Sequence, residues 1–180
     1  MRLILSAIPI LLLCSACGGP RAYGNKTLEP GSSAPDQPSS SLDHADQEAV
    51  SNFLDAFHQA AAEADGEGYF GRMAEDGVFL GTDPHERWLT DDFQAAFASY
   101  FDHKESAWTY IPGRRVITVE GQHAWFDEDL SNANYGEVRG SGVLRRTGET
   151  WEIVQYNLHF TVPNEAAPAV MEAMRAHGDG

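Results

Sequence analysis

Midway along the chain the hydrophobic period changes. Up to His103-Lys104-Glu105 apolar residues recur at helical spacing, and beyond it they alternate with polar ones in runs closed by short turns. Strands are expected at about 107–111, 114–120, 122–130, 136–146 and 150–161. The turns fall at Gly121-Gln122, Asn132 to Gly136 and Thr147-Gly148-Glu149. Consecutive strands joined so tightly must be antiparallel neighbours. The second half of the domain is therefore a meandering sheet, and the helices must come from what precedes it.

In the first half, Val50, Phe53, Leu54, Phe57 and Ala61 make one stripe of an amphipathic helix, with Asp43 as its expected N-cap and Asp65-Gly66 as its end. A short second helix is expected to carry Tyr69, Phe70 and Met73, and Val78-Phe79-Leu80 a brief strand. Thr90, followed by Asp91 and Asp92, reads as the N-cap of a third helix bearing Phe93, Phe97, Tyr100 and Phe101. Glu165 to His177 suggests a closing helix around Val170, Met171 and Met174. Helices followed by a curved antiparallel sheet define an α+β fold with helices on one face, an arrangement that leaves room for a ligand cavity.

The N-terminus reads as an address. Met1-Arg2 and the apolar stretch Leu3 to Leu13 are too short for a permanent span, which needs about 20 apolar residues. Leu13-Cys14-Ser15-Ala16-Cys17-Gly18 resembles a bacterial lipobox, which implies cleavage after Ala16 and acylation of Cys17. Cys14 departs from the aliphatic residue usual at its position, and an ordinary secretory signal is the alternative. The expected organisation is a lipoprotein signal peptide over 1–16, a flexible tether over 17–41 rich in Gly, Pro and Ser, a domain over 42–164 and a C-terminal helix or tail over 165–180. This places the protein in a bacterial cell envelope, held to the lipid bilayer through Cys17. In a Gram-negative organism the expected address is the periplasmic side of the outer membrane, since Gly18 and not Asp follows the Cys. The mature domain then has no thiol for a disulfide, a zinc–thiolate site or a nucleophile.

Charge narrows the functional classes. Twelve basic against 27 acidic residues leave a net −15 with no Lys/Arg cluster, which argues against nucleic-acid binding and against a polybasic hold on anionic lipid. No Gly-x-Ser-x-Gly elbow, phosphate-binding Gly loop or metal-ligating His-x-His spacing occurs, so neither a metal nor a cofactor is expected. Of the seven histidines, His85 in Asp83-Pro84-His85-Glu86 and His159 carry weight; Asp83 and His85 read as loop hydrogen bonding more readily than as metal ligands.

Several blocks occur in an order that resembles SnoaL-like domains: Asp76-Gly77-Val78-Phe79-Leu80-Gly81-Thr82-Asp83-Pro84 with Arg87-Trp88, Ala124-Trp125-Phe126-Asp127-Glu128, Tyr135-Gly136, Arg139-Gly140-Ser141-Gly142-Val143-Leu144, and Gln155-Tyr156-Asn157-Leu158. The resemblance covers about 47–164. It implies the cone-shaped α+β fold of the nuclear transport factor 2-like superfamily, which includes ketosteroid isomerase, polyketide cyclases and dehydratases beside domains that only bind or dimerise. The fold implies a pocket without fixing a reaction.

Strand register supplies a candidate cluster. A hairpin centred on Ala133 sets Asp127 opposite Arg139, and a three-residue turn at Thr147-Gly148-Glu149 sets Arg139 opposite Asn157 and Ser141 opposite Gln155. Asp127, Arg139, Ser141, Gln155, Asn157 and His159 would then share one face beneath the helices, flanked by Trp125, Val143, Trp151 and Ile153. A two-residue turn would instead bring Tyr156 to that face in place of Asn157. Asp127 is the candidate base, and His159 a second catalytic candidate; the competing reading makes Asp127 and Arg139 a structural ion pair. Trp88, Trp125, Tyr135, Arg139, Ser141, Gln155 and Asn157 are the candidate ligand contacts, with Tyr135, Tyr156 and Glu128 as conceivable hydrogen-bond donors. Gly136, Gly140 and Gly142 read as sheet-bend or bulge positions. The leading expectation is an anchored pocket domain for a small, partly apolar molecule. The alternatives are a cofactor-free isomerase, cyclase or dehydratase, or an interaction domain that forms a homodimer through its sheet face.

Overall fold

The computed structural model describes residues 41–102 and 106–178; the signal, the tether and the lipidated Cys17 expected from the sequence lie outside the described residues. Helix α1 runs Ser41–Ala62 and α2 Gly66–Phe70. Strand β1 (Met73–Leu80) and β2 (Arg87–Leu89) precede α3 (Thr90–Phe97) and α4 (Ser99–Asp102). The sheet continues with β3 (Ile111–Glu120), β4 (His123–Asn132), β5 (Gly136–Thr147) and β6 (Thr150–Phe160), and α5 spans Ala167–Gly178.

The six strands lie in the order β2-β1-β6-β5-β4-β3. The meander β3 to β6 is antiparallel throughout, as the short turns require. β1 joins it parallel to β6, which takes the long excursion through β2 and the small helices. One sheet face carries Phe126, Leu130, Val138, Leu144 and Tyr156, and these bury against Val50, Leu54 and Phe57 of α1 and Phe93 of α3. The hydrophobic stripe read from the sequence of α1 is that buried line.

Several boundaries differ from the sequence reading, each for a local reason. α1 begins at Ser41, so Asp43 falls inside the helix and not at its N-cap position. It stops at Ala62, Ala64 takes a positive φ of 55°, and Asp65 caps α2 instead, its carboxylate accepting from Gly68 N at 2.9 Å. Met73 opens β1 and does not close α2. Trp88 lies in an added edge strand, and the 107–110 stretch is irregular. Thr90 is the first residue of α3, not its cap; its buried hydroxyl donates to Ala74 O at 2.6 Å and ties α3 to β1. α5 forms, but Val170, Met171 and Met174 stay exposed, so it does not close the core.

Candidate functional site

The cone encloses a cavity of about 490 Å³, a size suited to a small organic molecule. Its wall is aromatic: Phe57 and Tyr69 from α1 and α2, Phe79 from β1, Phe93 and Phe97 from α3, Trp108 and Tyr110 from the loop before β3, and Tyr156 from β6. The rings brace one another, with Phe57 on Tyr69 and Phe79 on Phe93 each stacked at 4.2 Å between centroids. Polar groups such as Thr82, Glu86, Thr109 and Asn132 also line it, and two others, His58 and Tyr156, meet on a third that lies behind the wall.

That third group is Glu128, a carboxylate with no exposed surface, set on β4 between the apolar Phe126 and Leu130. Its Oε1 accepts from His58 Nε2 at 2.8 Å and from the Tyr156 hydroxyl at 3.1 Å. Its Oε2 faces Arg115, with Nε at 2.8 Å and Nη2 at 2.7 Å. Arg115 reaches on through Nη1 to Asp55 Oδ1 at 2.8 Å and to the Ser51 carbonyl and hydroxyl, both at 2.9 Å. Four elements, α1, β3, β4 and β6, therefore converge on one buried charge.

Burial by itself would raise the Glu128 carboxyl, but the hydrogen bond and charge of His58, followed by those of Arg115, hold it below its ordinary value. Burial, and then the neighbouring Glu128 carboxylate, push the Tyr156 phenol well above its ordinary value. Tyr156 is thus a neutral phenol and Glu128 an ionised acceptor at neutral pH. An ionised carboxylate only accepts, so His58 Nε2 and the Tyr156 hydroxyl must both donate to it. This fixes what Tyr156 offers the cavity. Its hydroxyl proton is committed to the inward bond, which leaves the oxygen lone pairs as acceptors, and His58 Nδ1 is the ring nitrogen that Glu128 does not engage. The Tyr156 oxygen on the cavity floor suits a ligand that donates a hydrogen bond.

Gly140 on β5 makes this arrangement possible. A Cβ there would overlap the Tyr156 hydroxyl and stand 3.0 Å from Glu128 Oε1. The glycine is a clearance for the hydrogen bond; the sheet irregularity of this region sits elsewhere, between Val143 and Leu144.

The cluster expected from the register does share one face, but it is the face turned away from the helices. Asp127 pairs with Ser141, not with Arg139; Arg139 lies opposite Asp129 and His159, and Ser141 opposite Asn157. On that outer face Arg139 Nη2 donates to Asp129 Oδ1 at 3.2 Å, and Arg114 stands 3.6 Å from Asp127. Gln155 is exposed, and Trp125 is 44% exposed. The placement of Asp127 and His159 beneath the helices is therefore corrected, and with it the geometric ground for Asp127 as a base within the cavity. The reason is parity: Phe126, Leu130, Val138 and Leu144 take the inner face, which leaves the odd-numbered residues of β4 and β5 outside. Gly148-Glu149 is a two-residue turn, with Thr147 opposite Thr150. Val154 then bulges, so Trp151, Ile153 and Tyr156 all face inward while Gln155, Asn157 and His159 face out.

Of the other candidates, Tyr135 lines the cavity mouth. Trp88 is half-buried in β2, edge-on to Phe97 at 5.8 Å, and is not part of the wall. His85 and Asp83 bond each other in the exposed loop, Nδ1 to Oδ1 at 3.0 Å. No cluster of three or more potential metal ligands occurs among the described residues. The sequence reading missed His58 and Arg115 and underused Glu128. Signals for two of them existed: His58 follows Phe57 on the buried stripe of α1, and Glu128 is a carboxylate in the apolar register of β4.

A curved sheet wrapped by helices around an aromatic cavity with a polar floor defines the class of cone-shaped pocket domains. The SnoaL-like domain family model matches residues 50–163, and the chain belongs to that family. No curated protein matches it. Solved structures agree on the fold. A protein of unknown function described as NTF2-like, from Pseudomonas putida KT2440, aligns with a TM-score of 0.57 at 14% identity over 68% of this chain and 92% of its own. A candidate dehydratase of the NTF2-like family from Streptomyces avermitilis gives 0.53 at 18% over 67% and 99%. A candidate scytalone dehydratase from Novosphingobium aromaticivorans gives 0.56 at 8% over 66% and 86%. At these identities the likeness concerns architecture.

Proposed function

We propose that this SnoaL-like domain binds a small, partly aromatic molecule through a hydrogen-bond donor, while an acylated Cys17 and the tether that follows hold it at the bacterial envelope membrane. The observation that carries the ligand reading is the cavity floor, where the Tyr156 oxygen is left as an acceptor beside the His58 ring, both held in place by fully buried Glu128. Buried polar groups cost free energy unless partnered, and a phenolic or amide donor from a ligand is the partner this floor accommodates.

The test is titration with 4-ethylphenol, followed by calorimetry and by the NMR signals of the protein. Binding should shift the resonances of His58 and of the Trp108 indole. His58→Ala should weaken it about tenfold, the worth of one hydrogen bond to a charged network, whereas Asp127→Ala on the outer face should leave it unchanged. Shifts confined to the outer face, or an equal loss in both variants, would defeat the reading.

A second reading is favoured by the His58–Glu128 contact at 2.8 Å. A carboxylate that fixes the tautomer of a histidine facing a cavity is the geometry of a general base, here with Nδ1 taking the proton. Candidate dehydratases among the structural neighbours are in keeping with such chemistry. Exchange of the acidic C–H protons of 4-hydroxyphenylacetone in D2O, followed by proton NMR, distinguishes it from binding alone. Acceleration by the parent and its loss in His58→Ala mark a base; a rate equal to buffer leaves a binding domain. The outer sheet face, with Trp125 and Val116 exposed, is in turn proposed as the contact between two copies of the chain.

A further inference from the structure

Around the cavity mouth the described wall contains no Lys or Arg, and its one carboxylate is Glu86. This residue does not swing in solvent. Its N–H donates to Asp83 O at 3.0 Å, its carbonyl accepts from Gly81 N at 2.9 Å, and its Oε2 accepts from Asp83 N at 3.1 Å. Glu86 has no ion-pair partner among the described residues. Tyr110 and Tyr135 line the same cavity. Burial, then the proximity of Tyr135 and Glu86, push the Tyr110 phenol up to about 12, so it remains a neutral ring beside the carboxylate.

The tyrosines are held as well. Asn132 Oδ1 accepts from Tyr135 N at 3.1 Å and from Asn134 N at 2.8 Å, and its Nδ2 donates to Thr109 O at 2.8 Å. One side chain thereby joins the loop that carries Tyr110 to the turn that carries Tyr135. A fixed carboxylate in the neighbourhood of two tyrosine rings is a combination that attracts an organic cation, through ring quadrupoles and charge together. The net charge of −15 draws cations and repels anions over a longer range.

We infer that the mouth recognises the cationic end of the ligand, so that the molecule is an arylalkylamine whose ammonium group sits against Glu86, Tyr110 and Tyr135 while its ring and a hydroxyl fill the cavity down to His58 and Tyr156. This rests on the pocket reading above and extends it from a donor-bearing aromatic to a positively charged one. Anionic aromatics are excluded by the same groups, since a carboxylate at this mouth would face Glu86 with no described cation to meet it.

Three probes that share one phenol ring and differ in tail charge decide the matter: tyramine, 4-ethylphenol and 3-(4-hydroxyphenyl)propanoate, titrated calorimetrically into the protein at pH 7. The expected order is tyramine about tenfold tighter than 4-ethylphenol, with the propanoate weakest and the tyramine advantage shrinking as salt is raised. Glu86→Gln should remove the tyramine advantage and leave 4-ethylphenol unchanged. Equal or tighter binding of 4-ethylphenol to the parent overturns the cation site and leaves the pocket reading standing. Failure of all three to bind overturns the pocket reading and this inference with it. The order in the parent decides the case whether or not the variant folds.

Discussion

Glu128 is a charge placed where the surrounding sequence calls for an apolar residue, and the molecule tolerates it by meeting both oxygens. Removing one partner of such a set is far costlier than the net worth of the pair, because the other charge stays buried. Glu128→Gln, which takes the carboxylate from Arg115 Nε and Nη2 while Asp55 still meets Nη1, is expected to lower stability by about 1–3 kcal/mol in urea denaturation. The pH dependence has a definite sign. The Glu128 carboxyl is lowered from a model-peptide value of 4.5, so its contribution is fully present above that pH and is lost as pH falls through the lower folded-state value. Acid titration of stability should show this loss below pH 4.5 in the parent and a shallower slope in Glu128→Gln. Gly140→Ala tests the same site sterically. It should cost about 1–3 kcal/mol through overpacking and displace Tyr156 from Glu128, visible as a shifted tyrosine hydroxyl or ring resonance.

Among the elements, α3 is tied to β1 by a buried polar contact. Thr90 donates its hydroxyl to Ala74 O inside the core, and Thr90→Val would leave that carbonyl without its bond. A loss of about 1–3 kcal/mol is expected, measurable as a lower thermal midpoint. β6 shows how one residue decides a face. Without the Val154 bulge the two-residue turn would direct Gln155 inward and Tyr156 outward; with it, the Tyr156 hydroxyl reaches Glu128. The short turns, the alternation of β3 to β6 and the apolar stripe of α1 were legible from residue order alone. The bulge was not, because no glycine or proline marks it and both registers satisfy the turn chemistry.

For the whole molecule, the acidic domain and the proposed N-terminal address lead to separate expectations. Cys17→Ser should abolish labelling by a fatty-acid analogue and move the protein from the membrane to the soluble fraction; unchanged fractionation would remove the anchor. Light scattering across a concentration series tests pairing through the outer face. A dimer that Trp125→Arg dissociates would support it, and a monomer at every concentration would end it.

The family and its α+β architecture could be read from the sequence because they rest on local matters, namely the spacing of apolar residues, the turn lengths and motif blocks in order. Such signals act over a few residues and survive without knowledge of what lies across the core. Which face of the sheet the helices cover was decided only in three dimensions. Apolar side chains on β4 and β5 compete for one interior, and the winning set carried Glu128 inward and left Asp127 outside. The meeting of His58, Arg115, Glu128 and Tyr156, drawn from positions up to 98 residues apart, follows from that choice.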